Sequence, residues 1–103
     1  MQKVYVYKDS YGDYRVFPGV IVLRGNEDLR VINATGVAVK VKVPAGASKP
    51  HDPVEENIPS QKHGNIKARK QGENESRAYP YKVSTGTGKR ARANSDPIMI
   101  IED

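Results

Sequence analysis

Residues 37–43 constrain the fold of this chain more than any other segment, because they alternate between two kinds of side chain. The segment is V-A-V-K-V-K-V, so its four valines fall on one side of an extended chain and its alanine and two lysines on the other. A helix would scatter the valines around its axis, because its side chains repeat every 3.6 residues. The pattern therefore predicts a strand of an antiparallel sheet, with one face buried and one face in water. Pro44 ends it.

Shorter apolar runs elsewhere repeat this strand signal. We predict further strands at residues 3–8, 15–17, 20–23, 28–33, 66–70, 77–83 and 96–102, separated by turns that contain Gly, Pro or Asn. Asn33, at the end of one of them, is expected to make turn hydrogen bonds. No segment has a sustained helical repeat, and only one helical turn is predicted, at Pro53–Asn57 with Asp52 as its N-cap. About seven or eight short strands predict an all-β, Greek-key β-sandwich in a single domain, residues 1–103.

The alternation also predicts the core and one long connection. The side chains expected to be mostly buried are Leu29, Val31, Val37, Val39, Val41, Tyr79, Tyr81, Ile98 and Ile100. Residues 45–65 contain three prolines, two glycines and few apolar side chains. A connection of this length is longer than most loops in compact domains, which predicts that it is functional, mobile or both.

Charge is concentrated in the middle of the chain. The net charge is +5, from 17 Lys and Arg against 12 Asp and Glu, whereas the last eight residues carry three acids and no base. Basic surfaces attract phosphate and carboxylate groups. Two clusters are predicted as sites for an anionic partner; they consist of Lys67, Arg69 and Lys70, and of Lys89, Arg90 and Arg92.

Three segments together resemble the cupredoxin fold. They are LRVINATGVAVKVKVPAGA (29–47), YPYKV (79–83) and PIMIIE (97–102). In that family a strand that ends in Asn precedes a valine-rich strand, a Tyr-x-Tyr strand leads into the copper-binding loop, and a hydrophobic strand closes the sheet. The resemblance covers most of the chain beyond residue 20 and implies a cupredoxin-like sandwich.

The same resemblance implies where copper ligands would stand. Copper-carrying members need a thiolate and two imidazoles, usually with a weak axial thioether. The resemblance places the cysteine at Val83, and the loop that follows, STGTGKRARANSD, has no His or Met. The chain has no cysteine at all, which also excludes disulfides. We therefore expect a cupredoxin-like protein that lacks the copper ligands, with no copper electron transfer and no cofactor.

Other chemistry has little support in the sequence. His51 and His63 are the only histidines, and their spacing from neighbouring carboxylates matches no zinc template, so we expect exposed loop histidines. Weak metal binding by either one stays open. GTGKR (86–90) lacks the first glycine and the hydroxyl of a phosphate-binding loop and predicts a hairpin-type loop instead. We find no set of nucleophile, base and orienting group, and so predict no catalytic residue and no enzyme.

These observations favour a non-catalytic module that binds a macromolecule. The leading hypothesis is a protein partner, bound through residues 45–65 and 84–95. The alternative is nucleic acid, bound by the two basic clusters, with Tyr5 and Tyr7 as candidate stacking residues if they face solvent. No membrane contact is expected, and the location is expected to be cytoplasmic if Met1 is the native start.

The segment 84–95 is also expected to be mobile, and the cupredoxin-like topology, if it holds, would bring it to the same edge as residues 45–65. If the two segments meet, Lys89, Arg90 and Arg92 would come within reach of Glu55 and Glu56 and form exposed ion pairs. If they do not meet, each is simply solvated. Reversing the charges of the two arginines should then leave the melting temperature nearly unchanged and weaken an anionic partner.

Overall fold

The protein is an all-β sandwich. A computed structural model describes residues 2–24, 27–44, 54–66, 77–92 and 96–102, and the regular structure in these residues is entirely β-strand. The strands are β1 (Gln2–Lys8), β2 (Tyr14–Phe17), β3 (Val20–Arg24), β4 (Leu29–Asn33), β5 (Val39–Val43), β6 (Val54–Ile58), β7 (His63–Ile66), β8 (Arg77–Pro80), β9 (Lys82–Thr85), β10 (Arg90–Ala91) and β11 (Ile98–Glu102). The all-β prediction is confirmed, although the described residues form more strands than the seven or eight predicted.

These strands form three sheets. The first has the order β2-β1-β4-β7, the second β10-β9-β5-β6 and the third β3-β11-β8. The pairs β1–β4 and β3–β11 are parallel and the others are antiparallel. The strand predicted at 77–83 is divided between two sheets at Tyr81, whose N–H donates to the Pro97 carbonyl at 2.9 Å. One stretch of chain therefore joins the second and third sheets.

The core lies between the inner faces of the sheets. Its side chains are Val4, Val6, Val16, Ile21, Leu23, Leu29, Val31, Val39, Val41, Val43, Ile58, Ile66, Tyr81, Val83, Ala91, Met99 and Ile101. β5 alternates between buried valine and exposed lysine, as its sequence predicts. Burying one such aliphatic side chain contributes about 1.5–3 kcal/mol, so this strand stabilises the sandwich substantially. The predictions for Leu29, Val31, Val39, Val41 and Tyr81 are confirmed.

Val37 was predicted to be a buried strand residue, and this is wrong. β5 begins at Val39, and 41% of Val37 is exposed. The backbone of Val37 is held by the preceding turn: its N–H donates to the Thr35 hydroxyl at 3.2 Å, and its carbonyl accepts from the Asn33 amide at 2.8 Å. Because these groups bond within the turn, the ladder of β5 starts two residues later.

The inward face of β11 was also assigned wrongly. Met99 and Ile101 are buried, whereas Ile98 and Ile100 are only half-buried. β11 is the central strand of its sheet and is apolar on both sides, so alternation in the sequence does not reveal which side faces the core. Tyr79, predicted as buried, is partly buried and packs against the core.

The predicted connection 45–65 contains regular structure. β6 occupies residues 54–58, where a helical turn was predicted, and pairs along its whole length with β5. A lone helical turn is unstable, whereas the valine-rich strand offers this segment a complete hydrogen-bond ladder. β7 ends at Ile66, so the strand predicted at 66–70 continues into residues that the structure does not describe, as do Asp52 and Pro53 of the predicted cap.

Asn33 connects the first and second sheets. Its side-chain nitrogen lies 2.8, 3.0 and 3.1 Å from the carbonyl oxygens of Val37, Ile58 and Pro59. Its side-chain oxygen accepts from the backbone N–H and the hydroxyl of Thr35, at 3.0 and 2.6 Å. The predicted turn hydrogen bonds are confirmed, and the same fully buried amide also reaches the end of β6.

Replacing Val39 with aspartate is expected to unfold the domain, because a buried and unpaired charge costs several kcal/mol, a large share of a typical stability of about 5–15 kcal/mol. The matched control is Ala38→Asp at the exposed neighbouring position, which should change the free energy of unfolding little. Urea denaturation of both variants and the parent checks this. If the Val39 variant unfolds at the parent's urea concentration, the inward face of β5 is misassigned.

Candidate functional site

Two hairpins that are distant in sequence meet at one end of the sandwich. Arg92, just after β10, forms a parallel bridge with Arg15 of β2. The N–H of Val16 donates to the Arg92 carbonyl at 3.0 Å, and the N–H of Arg92 donates to the Tyr14 carbonyl at 3.2 Å. Because bridged residues of a parallel pair point to the same side, the two arginine side chains share one surface.

The hairpin β9–β10 is shaped by its own turn residues. The N–H of Thr85 donates to the Lys89 carbonyl at 2.8 Å, and the N–H of Gly88 donates to the Thr85 carbonyl at 3.0 Å. Gly88 has φ +87°, a conformation that residues with a side chain rarely adopt. The hairpin-type loop predicted for 86–90 is confirmed. The prediction of one loop over 84–95 is wrong for the described part, which includes the end of β9 and all of β10.

The opposite hairpin, β1–β2, is organised by Asp9. One carboxylate oxygen accepts from the N–H groups of Tyr11 and Asp13, each at 2.9 Å. The other oxygen lies 3.9 Å from Nε of Arg15. The turn that closes the hairpin therefore also positions an arginine beside the second hairpin.

The two hairpins enclose what we call the hairpin groove. It has a volume of about 380 Å³ and is lined by Gly12, Asp13, Tyr14, Arg15, Lys89, Arg90 and Arg92. It thus brings together the three members of one predicted basic cluster. Arg15 was not predicted, because only the pairing of β2 with the chain after β10 places it beside them. The other cluster, Lys67, Arg69 and Lys70, lies outside the described residues.

Among the residues that the structure describes, Asp96 is the anion in contact with this cluster. Its Oδ1 lies 2.9 Å from Nη1 of Arg90 and 3.9 Å from Nε of Arg92. The side chain of Arg90 is 32% exposed and that of Arg92 is 56% exposed. Arg90 consequently helps to hold the fold through its contact with Asp96 and also contributes charge to the surface, whereas the side chain of Arg92 extends further into solvent.

Glu55 does not reach the hairpin groove, so it does not form the ion pairs that were expected if the two segments met. Its carboxylate lies 3.8 Å from Nζ of Lys40 and 3.7 Å from Nζ of Lys42, both on β5. The reason is the strand order, because β5 separates β6 from β9 and β10 in the second sheet. The described strands of the two segments are in one sheet, but they are not neighbours.

The outer side of this second sheet is also basic. We call it the lysine face, made of Lys40, Lys42 and Lys82, all exposed. Lys42 pairs with Lys82, and Lys40 pairs with Ser84, which in turn pairs with Arg90. Cross-strand partners share a side of the sheet, so Arg90 connects the lysine face to the hairpin groove.

Tyr14 is the aromatic residue of the groove, and its ring has a cation on it. Nζ of Lys8 lies 5.6 Å from the centre of the ring, within the range of a cation–π contact. The ring also packs partly against the core. The groove therefore offers positive charge, but its aromatic ring already contacts Lys8 and the core.

The two histidines were expected to be exposed loop residues, with weak metal binding left open. His63 is exposed on β7, and His51 lies outside the described residues. Within the ranges that the structure describes, His, Asp and Glu form no group of three that could hold a metal ion. In the same ranges, no helix of membrane-spanning length and hydropathy is found.

The position that the resemblance gives to a copper-binding cysteine is apolar and closed. Val83 is fully buried on β9 and pairs with Val41 of β5. Tyr81, two residues earlier, is also fully buried, and its hydroxyl has no hydrogen-bond partner among the described residues. This burial raises the pKa of the Tyr81 phenol well above its usual range.

Known structures share this fold. The chain is similar to the novel purple cupredoxin from Nitrosopumilus maritimus, with TM-score 0.60, 8% identity and coverage of 99% of this chain and 100% of that one. It is similar to oxidised plastocyanin from Dryopteris crassirhizoma, with TM-score 0.57, 14% identity and coverage of 97% and 99%. For Lac15 from a marine microbial metagenome the TM-score is 0.55 and the identity 13%, over 98% of this chain and 32% of that one.

These likenesses establish a cupredoxin-like fold, as the sequence resemblance implied, and at such identities they establish the fold alone. No protein-family model matches the chain. No curated protein matches it in sequence.

Replacing Tyr81 with phenylalanine is expected to raise the free energy of unfolding by about 1 kcal/mol at neutral pH, because the buried hydroxyl is desolvated without a hydrogen bond. The gain should grow above about pH 10, where the unfolded phenol ionises and the buried one stays protonated. Urea denaturation at both pH values measures this. Tyr11→Phe, at a position 90% exposed, is the control and should change neither value. A destabilised Tyr81 variant would show that the hydroxyl has a partner.

Proposed function

We propose that this protein is a non-catalytic, cupredoxin-like module that binds an acidic segment of a partner protein along the hairpin groove and the lysine face. The observation that carries the proposal is the bridge between Arg15 and Arg92, which assembles four cations around one groove. These cations come from two hairpins, so the groove is a product of the fold and not of one charged run of sequence.

The groups of the groove suit carboxylates. A guanidinium presents parallel N–H donors that match the two oxygens of a carboxylate. Within the chain, Nη1 of Arg90 donates to one carboxylate oxygen of Asp96 at 2.9 Å. Asp9 and Asp96 lie near their arginines and limit the directions in which these can extend. Lys89 is exposed in the turn of its hairpin. Its long side chain can therefore adjust its position to contact a ligand in the groove.

The lysine face extends the same surface. A peptide that leaves the groove over Arg90 would pass next along Lys40 and Lys42, where Glu55 already shows how a carboxylate fits between the two ammonium groups. Of the two segments that the sequence favours, this surface uses 84–95, through the basic cluster of the groove, whereas its lysines come from β5 and β9.

A protein partner is favoured over nucleic acid at this surface. Proteins that hold single strands combine cations with open aromatic rings on which bases stack. The ring of Tyr14 is partly buried and lies under Lys8, so it offers little area for stacking. The groove therefore supplies charge recognition without a stacking platform.

The residues present do not fit the copper centre that the fold family implies. Val83 supplies no thiolate, and the hairpin after it contains no imidazole or thioether. At the position that the resemblance gives to the copper-binding cysteine, Val83 is buried and packs in the core beside β5. We accordingly propose no copper electron transfer and no catalytic residue.

The test is binding of a fluorescein-labelled oligoglutamate peptide, measured by fluorescence anisotropy at low salt. The parent should bind, and Lys89→Glu and Arg92→Glu should each weaken binding by about three- to tenfold, the effect of a charge at the edge of an interface. Both side chains are exposed, so their reversal should leave the melting temperature nearly unchanged. Arg90 is left intact, because its contact with Asp96 also supports the fold.

Lys62→Glu is the control, because it makes the same change of net charge at an exposed position in the turn before β7. It should leave peptide affinity within about twofold of the parent. An equal loss in this control would mean that only net charge matters, and the groove would then not be the binding site. Absence of peptide binding by the parent at low salt would also refute the proposal.

A further inference from the structure

The outer side of the first sheet carries a row of exposed and half-buried side chains that the proposed function does not use. Phe17, Tyr5, Ile32 and His63 are direct partners across β2, β1, β4 and β7. Phe17 is 65% exposed and Tyr5 is 45% exposed, although both are large and apolar. We call this surface the aromatic face, and we propose that it is a binding site for single-stranded nucleic acid.

The pairing of the strands shows that the row lies on one side. Val6 and Val16, which are direct partners on β1 and β2, are buried in the core. Successive side chains of a strand point to opposite sides, so Tyr5 and Phe17 point together toward solvent. Four strands at about 4.8 Å spacing give a row some 14 Å long. Open sheets with such aromatic residues stack two or three bases.

Cations flank this row on both sides. Lys3 and Arg30, which are direct partners, form the next row on one side. Arg15, the partner of Tyr7, lies in the next row on the other. The rows are about 7 Å apart along the strands, so a backbone that follows the row would meet cations at either edge while its bases cover the rings.

Charge complementarity selects the occupant. The sequences of β1, β2, β4 and β7 contain no Asp or Glu, although Asp9 just beyond β1 lies beside Arg15. A second copy of the chain would place the same cations against each other, which disfavours self-association. An acidic peptide would satisfy the charges and leave the rings uncovered. A single-stranded nucleic acid satisfies both, because it presents phosphates and flat bases together.

This site differs from the hairpin groove in what it recognises. The groove presents cations with a ring that is already covered, whereas this surface presents open rings with cations at the margin. Arg15 is the residue that both surfaces share. The sequence suggested nucleic-acid binding by the two basic clusters, with stacking on Tyr5 if it faces solvent. Tyr5 does face solvent, and we place the nucleic-acid site on the first sheet instead of the clusters.

The test is a titration of labelled oligothymidylate of about ten nucleotides, followed by fluorescence anisotropy. The parent should bind at about 50 mM salt and several-fold more weakly at about 200 mM, because phosphate contacts release counterions. Phe17→Ala and Tyr5→Ala should each weaken binding at least about fivefold, the loss expected when one base is unstacked. Phe17→Tyr keeps the ring and should bind like the parent.

Tyr11→Ala is the matched control, because it removes an exposed aromatic ring from the turn between β1 and β2 and not from the row. It should leave the affinity unchanged. A duplex of the same length should bind at least about fivefold more weakly, because its bases are already stacked. Absence of binding at low salt, equal binding of the duplex, or unchanged affinity of the two alanine variants would each overturn the proposal.

The two proposals can fail separately. Phe17→Ala should leave binding of the oligoglutamate peptide unchanged, because the ring is not part of the groove. If the peptide binds and the oligonucleotide does not, only the inference about the aromatic face is lost. If the reverse is found, only the proposed function is lost.

Discussion

The side-chain amide of Asn33 is the interaction on which the arrangement of this sandwich depends. It is fully buried at the end of β4 and is within hydrogen-bond distance of carbonyls that follow β4 and that end β6. Next to it, the Thr35 carbonyl accepts from Ser60 at 2.7 Å and from the Gln61 side chain at 2.9 Å. A buried polar group that is fully satisfied in one geometry favours that geometry over competing ones.

This connection determines where the two proposed binding surfaces lie. It holds β5 and β6 of the second sheet to the end of the first, and β9 and β10 follow β5 in the same sheet. The chain after β10 thereby comes beside β2, which creates the hairpin groove. The outer side of the first sheet faces away from this packing and leaves its aromatic row open. A neutral, buried amide thus positions two charged surfaces that it does not touch.

How well the sequence predicts the buried face of a strand depends on whether its other face carries polar side chains exposed to solvent. β5 was placed correctly because its lysines mark one face, and the buried residues of β4 followed from the same alternation. β11 has no such mark, so its two faces were exchanged. β6 was missed because its sequence, VEENI, suits a helix as well as a strand, and its pairing with β5 decides between them.

The candidate site shows the same division between local and non-local information. Lys89, Arg90 and Arg92 are close in sequence, and their clustering was visible there. Arg15 belongs to another hairpin, and the pairing of Glu55 with the lysines of β5 was not predicted, because both contacts depend on strand order. Strand order arises from pairings between distant segments, which no local pattern specifies.

The central claim is that the groove between β2 and the β9–β10 hairpin binds acidic protein segments. Chemical-shift mapping of backbone amides during titration with an oligoglutamate peptide tests it most directly. The account predicts the largest shifts in the groove, at Asp13, Arg15, Lys89 and Arg92, with smaller shifts on the lysine face. Shifts centred on Tyr5 and Ile32 of the first sheet, or no saturable shifts at low salt, would contradict it.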